Sequence, residues 1–212
     1  MKTKVIAIRH GKKEKLEGCP QGTMSWGIQA RLTPAGIETA KQVASRLKVM
    51  LNGCTVFGSS PLIRAQETAF VIMAELGIKP PEFANHIYIH HGFWSTNPAA
   101  WYLDCKPEEY SNGAVYKLRP KEVESEGHLV LHTAYSLALQ AVTVNQNVAL
   151  AVSHGGPLDA AIMVAKRSLG QFLPITDLEE GEGAIFTFDG NSIVAVDDFL
   201  QQGGILPYPR FL

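Results

Sequence analysis

The chain has 212 residues, enough for one sizeable hydrophobic core, and its 46% hydrophobic and 18% charged residues match soluble globular proteins. A formal net charge of −1 argues against the basic surface of general nucleic-acid or membrane-surface binders, and no apolar run approaches the ~18 residues of a membrane span. Cys19, Cys54 and Cys105 form neither a C-x-x-C pair nor a disulfide framework, and the apolar run after Lys4 stops at Ile8, too short for a signal-peptide core. A cytoplasmic location is the resulting expectation.

Val5-Ile6-Ala7-Ile8 reads as a buried strand, since four consecutive apolar residues rich in Ile and Val show no helical spacing. It delivers Arg9, His10 and Gly11 to its carboxyl end, the edge of an open α/β sheet where ligands bind. Lys12 to Arg31 lacks apolar periodicity and reads as a long loop whose lysines either steer anions or are solvated. Thr33 as N-cap and Pro34 at the first position predict a helix with an apolar stripe of Ile37, Ala40, Val43, Ala44, Leu47 and Leu51, stopped by Asn52-Gly53. Thr55 to Gly58 reads as a second strand, followed by Ser59-Ser60. Pro61 opens a helix burying Ala65, Thr68, Ala69, Ile72, Met73 and Leu76. Arg64 lies in its first turn, where a cation is unfavourable unless an anion sits between it and the helix end.

Phe83 to Ile89 has strand character and leads into His90-His91-Gly92. Residues 95–126 mix aromatics, prolines and charges and read as an irregular cap insertion with short helices, one at Pro107 to Tyr110. Glu126 to Asn145 is expected to be a helix with Leu129, Leu131, His132, Tyr135, Leu139 and Val142 partly buried. His128 and His132 stand four apart on it but have no third ligand nearby, so no metal site is expected. Val148 to Val152 is a strong strand ending in Ser153-His154-Gly155-Gly156, and Pro157 begins a helix to about Ser168. Ala184–Phe188 and Ser192–Val196 flank Asp189-Gly190-Asn191 as a hairpin. Gly181-Glu182-Gly183 is too short for a nucleotide fingerprint. The alternation of strands and helices predicts one α/β domain over 1–212: a mostly parallel central sheet, helices on both faces and a C-terminal hairpin.

If these strands are parallel neighbours, their carboxyl ends bring two arginines and two histidines into one crevice. Guanidinium forks and helix N-termini suit phosphate. Four motifs carry a resemblance: R-H-G at Arg9-His10-Gly11, L-T-x-x-G at Leu32 to Gly36, S-x-L-x-R-A-x-x-T-A at Ser60 to Ala69, and S-H-G at Ser153-His154-Gly155. Together they resemble the histidine phosphatase (phosphoglycerate mutase-like) superfamily. The resemblance implies a phosphoglycerate mutase-like fold in which His10 attacks phosphorus and is transiently phosphorylated. Arg9, Arg64 and His154 would hold the phosphoryl oxygens, and Gly11 and Gly155 complete the substrate-binding set. Water would then hydrolyse the phosphohistidine with no metal or other cofactor required.

A carbonyl near Gly11 is expected to fix the His10 tautomer. The family pattern L-x-E-x-x-x-G places a carboxylate after the third strand as leaving-group acid. Ile87 to Trp94 contain none. His90 or His91, or Asp104, Glu108 or Asp159 reaching in, are the alternatives to an absent acid. Lys12-Lys13-Glu14 in place of the usual E-S or E-T pair favours a phosphatase over a mutase. The expected substrate is a small phosphorylated metabolite, with a phosphoprotein second and a homodimer open. The alternatives are a phosphoglycerate mutase-like phosphoryl transferase and a catalytically silent binder of phosphorylated ligands.

Overall fold

β1 (Lys2–Arg9) lies inside the sheet because its alternate residues face two different cores. In the computed structural model, which describes residues 2–14, 30–51, 54, 56–78, 87–89, 111–173, 175 and 177–199, it pairs in parallel with β4 (Val148–Ser153) and antiparallel with β5 (Gly183–Asp189). β2 (Phe57–Ser59) and β3 (Ile87–Ile89) extend the parallel side, and β6 (Ser192–Phe199) closes the other edge as the second strand of the hairpin. The six strands run β3-β2-β4-β1-β5-β6. The expected mostly parallel sheet with a C-terminal hairpin is the observed one.

Register explains the difference between the two faces. Ile6 sits beside Leu150 and Ile8 beside Val152, a bulky face covered by α1 (Pro34–Leu47) and α2 (Ile63–Glu75). Val5 sits beside Ala149 and Ala7 beside Ala151, a face of smaller residues covered by α4 (Pro120–Thr143) and α5 (Gly155–Ser168). α5 is buried at ten consecutive positions, Pro157 to Lys166. α3 (Asn112–Leu118), capped by the Ser111 hydroxyl, precedes α4.

Several expectations change. α1 begins at Pro34 with the predicted Thr33 cap but ends at Leu47, and Ile37 is exposed rather than part of the buried stripe. α2 begins at Ile63, two residues after Pro61. α4 begins at Pro120, six residues before the expected start. The run of charges from Lys121 to Glu126 hides the helix, and its proline occupies the first helical position. Its buried face is also different: Val123, Gly127, Val130, Ala134, Leu137, Ala138 and Ala141 are buried, whereas His132, Leu139 and Val142 are exposed.

The cause of that rotation is close packing. A Cβ at Gly127 would lie 2.6 Å from the Ala160 carbonyl oxygen, so α4 turns its smallest residues toward α5. The expected irregular cap is therefore helical from 112 to 118 and again from 120. Its first part, with the helix expected at 107–110, lies outside the described residues, as do Cys19 and Cys105. Cys54 is buried, and burial pushes its thiol up to about 11. No helix among the described residues is long and apolar enough to cross a membrane.

Candidate active site

Three strand ends meet because β4 lies between β1 and β2. Arg9 is beside Ser153, and Ser59 beside Val152, so His10, Ser60 and His154 emerge at adjacent points of one edge. His154 is also the N-cap of α5, and Arg64 is the second residue of α2. His10, Arg64 and His154 are buried, with 5%, 6% and 7% exposure. Burial of a guanidinium and two imidazoles at a sheet edge is costly unless these groups bond one another.

They do, and the bonds define both tautomers. His10 Nδ1–H donates to the Gly11 carbonyl at 2.7 Å, because a carbonyl can only accept. Nε2 is then left as an acceptor and takes a hydrogen bond from Arg64 Nε–H at 3.0 Å. Arg64 Nη2 lies 3.3 Å from His154 Nδ1, which must therefore accept, leaving the proton on Nε2 to donate to Ser60 Oγ at 2.7 Å. The two imidazoles meet edge to face with centroids 4.9 Å apart. Burial first, then the Arg64 charge, holds both histidines well below their ordinary pKa, and the Gly11 hydrogen bond only partly opposes this at His10. Both rings are neutral at pH 7.

Arg9 completes the cationic wall from the β1 side. Its Nη1 donates to the Leu178 carbonyl, and its Nη2 is 3.7 Å from Glu180 Oε1. Gly155 allows α5 to start directly beneath that guanidinium, since a Cβ there would lie 3.3 Å from Arg9 Nη1. Gly11 acts through its backbone: the carbonyl orients His10 and the N–H donates to Thr68 Oγ1 at 3.2 Å. Thr68 Oγ1 in turn donates to the Arg64 carbonyl, joining R-H-G to the arginine-bearing helix. The L-T-x-x-G segment packs behind both, because Gly36 lies against the Lys12 backbone and Glu67 accepts from Leu32 N–H and Arg31.

Thus the four motifs form one construction, and Arg9, His10, Arg64 and His154 surround one point. His90, His91, Asp104 and Glu108 lie outside the described residues. Asp159 does not reach toward His10: its carboxylate accepts from Asn112 Nδ2 at 2.7 Å and from Leu178 N–H at 3.2 Å. Among the described residues no cluster of three His, Cys, Asp or Glu could hold a metal ion, and His128 and His132 are both exposed on α4.

The sequence does not single out three contributors. Lys13 turns toward the site while Lys12 is exposed. Burial, then Arg64 and Arg9, brings the Lys13 ammonium down to about 7, and its charge in turn lowers both histidines. Two adjacent lysines give no pattern that separates them. Ser60 was visible only as a motif letter. Leu178 to Glu182, which pairs with both main-chain groups of Arg9, lies in a stretch without periodicity.

The fold has counterparts among solved structures. The solved structures it resembles include a mutant phosphoserine phosphatase from Entamoeba histolytica in complex with phosphoserine (20% identity, TM-score 0.53, covering 94% of this chain and 98% of that one). They also include phosphoglycerate mutase from Bacillus anthracis (16% identity, TM-score 0.60, 91% of each chain). A third is the protein histidine phosphatase SixA complexed with tungstate (14% identity, TM-score 0.52, 95% and 97%). At these identities the likeness establishes the fold, which is phosphoglycerate mutase-like. No curated protein sequence matches the chain. The sequence profile of the histidine phosphatase superfamily (branch 1) matches residues 5–196, which include all four motifs and every strand except the first residues of β1 and the last of β6, and the chain belongs to that superfamily.

Proposed function

We propose that the protein is a phosphatase that hydrolyses a small phosphomonoester through a phosphohistidine on His10. One observation carries this reading: His10 is neutral, its proton is fixed on Nδ1 by Gly11, and its Nε2 lone pair faces the Arg64 guanidinium, whose Nε–H donates to it. That is a nucleophile with the electrostatic partner of its reaction already in place.

In the first step Nε2 forms a bond to phosphorus while the ester P–O bond breaks and its electron pair leaves with the alcohol oxygen. Arg9 and Arg64 neutralise the charge on the phosphoryl oxygens, with His154 beside them. In the second step water attacks phosphorus, the N–P bond breaks, and inorganic phosphate leaves as neutral His10 is restored. A poor leaving group needs a proton, which we assign to the pair His90 and His91 that directly follows β3. A good one leaves as the anion. The charge needed for these steps comes from side chains, so the reading invokes no metal.

The test is hydrolysis of an activated aryl phosphate with chelator present, from pH 5 to 8. Wild type is expected to release phosphate, His10→Ala to fall to background, and Arg64→Ala and His154→Ala to lose on the order of 100-fold or more. Phosphate release without transfer to an added phosphoglycerate separates hydrolysis from mutase chemistry. Tight phosphate binding without any turnover in wild type would replace the phosphatase by a binding protein.

A further inference from the structure

Arg9 is aimed by a segment distant in sequence. Its main chain pairs with residues 181 and 182, and its Nη1 donates to the Leu178 carbonyl. Leu178 is held at its other main-chain group as well, since its N–H donates to Asp159 at 3.2 and 3.4 Å. Asp159 is on α5, five residues beyond His154, and is completely buried. Asn112 at the start of α3 donates from Nδ2 to the same carboxylate at 2.7 Å and from its N–H to Asp177 at 2.9 Å. A buried carboxylate is expensive as packing, and a hydrocarbon of its size would fill the space at lower cost. Here its oxygens pin the residue that orients Arg9.

We propose that Asp159 and Asn112 are positioning residues for Arg9, fixing Leu178 so that its carbonyl sets the plane of the guanidinium that grips the phosphoryl group. The inference rests on the reading of this pocket as a phosphate site. A guanidinium fork recognises phosphate through the direction of its N–H groups, so rotation of the fork loses affinity without loss of charge. Preorganisation through the residues behind the binding group is what keeps such a site tight.

The experiment measures binding of inorganic phosphate by calorimetry, with kcat and KM on an aryl phosphate, in wild type and in variants with and without Arg9→Ala. Asn112→Ala removes one donor and should fold. Asp159→Asn sets an amide donor against the Asn112 amide donor. Each is expected to weaken phosphate binding about tenfold on its own and less than about twofold when Arg9 is already alanine, a coupling of the size seen between groups in one network. Combining Asp159→Asn with Asn112→Asp re-pairs donor with acceptor and is expected to restore affinity to within about threefold. Equal losses in the two backgrounds, or lowered melting temperature with unchanged affinity, would overturn the positioning role while leaving the pocket a phosphate site. A wild type that binds no phosphate would overturn both.

Discussion

At the scale of single residues, the pocket is a device for staying positive without self-repulsion. Both histidines are held neutral by burial and by Arg64, and Lys13, brought down to about 7, is a pocket cation that titrates near neutrality. Sulfate keeps two negative charges over pH 6 to 9 and so reports on the protein alone. Its affinity is expected to be flat below pH 7 and to fall by up to about tenfold per pH unit above it, as the Lys13 ammonium is lost. In Lys13→Met the affinity should be weak and flat across the whole range. A wild-type profile without a bend would show that the lysine does not face the anion. If His10 is the nucleophile, its neutrality predicts a rate profile whose acid limb lies below 6.5, because it stays unprotonated to lower pH than a free imidazole. A pH–rate series for kcat/KM on the aryl phosphate checks it.

At the scale of elements, glycines decide how closely helices approach the site, and the sign of a Gly→Ala change tests this. In an open helix Gly127→Ala would stabilise by roughly 0.5–1 kcal/mol. Here the new methyl would meet the Ala160 carbonyl at 2.6 Å, a backbone atom that cannot rotate away, so the change is expected to destabilise by about 1–3 kcal/mol in urea unfolding. Gly36→Ala is the counterpart at the site. Its Cβ would lie 2.2 Å from the Lys12 carbonyl, so the backbone after Gly11 must shift, and activity should fall on the order of 100-fold. These contacts also explain what could and could not be read from the chain. β1, β4, the hairpin and the Thr33 cap of α1 were legible because apolar runs, Thr33-Pro34 and Asp189-Gly190 are local signals. Arg64 was legible as a candidate because a cation in a first helical turn is locally wrong. The buried face of α4 was not, because it is chosen by how near α5 comes to Gly127, so Leu139 and Val142 give way to alanines. Asp159 and Leu178 were not, because their roles exist only where α3, α5 and the approach to β5 meet.

At the scale of the whole molecule, a site assembled from three strand ends and two helix starts must be held open by the rest of the fold, and its ionisation should appear in overall stability. Unfolded histidines protonate near 6.5, whereas buried His10 and His154 protonate only well below it. Between those values the unfolded chain binds more protons than the folded one, so the stability present above pH 6.5 is lost as pH falls, by up to about 1.4 kcal/mol per pH unit for each histidine. Lys13 acts with the same sign in another window. Its unfolded ammonium keeps its proton to about 10.5 while the folded one releases it near 7, so stability rises from about pH 7 toward 10 as the burial of a charge is relieved. The protein is therefore expected to be least stable in acid and to gain steadily into mild alkali, unlike a fold held chiefly by ion pairs. Urea unfolding of wild type at pH 5, 6, 7 and 9 gives the slope, and His154→Gln should remove about half of its acid part while leaving the alkaline part intact. Lys13→Met should do the reverse. A wild-type stability that is flat from pH 7 down to 5 would mean that the folded chain takes up as many protons as the unfolded one, so that His10 and His154 are not held below the ordinary imidazole range.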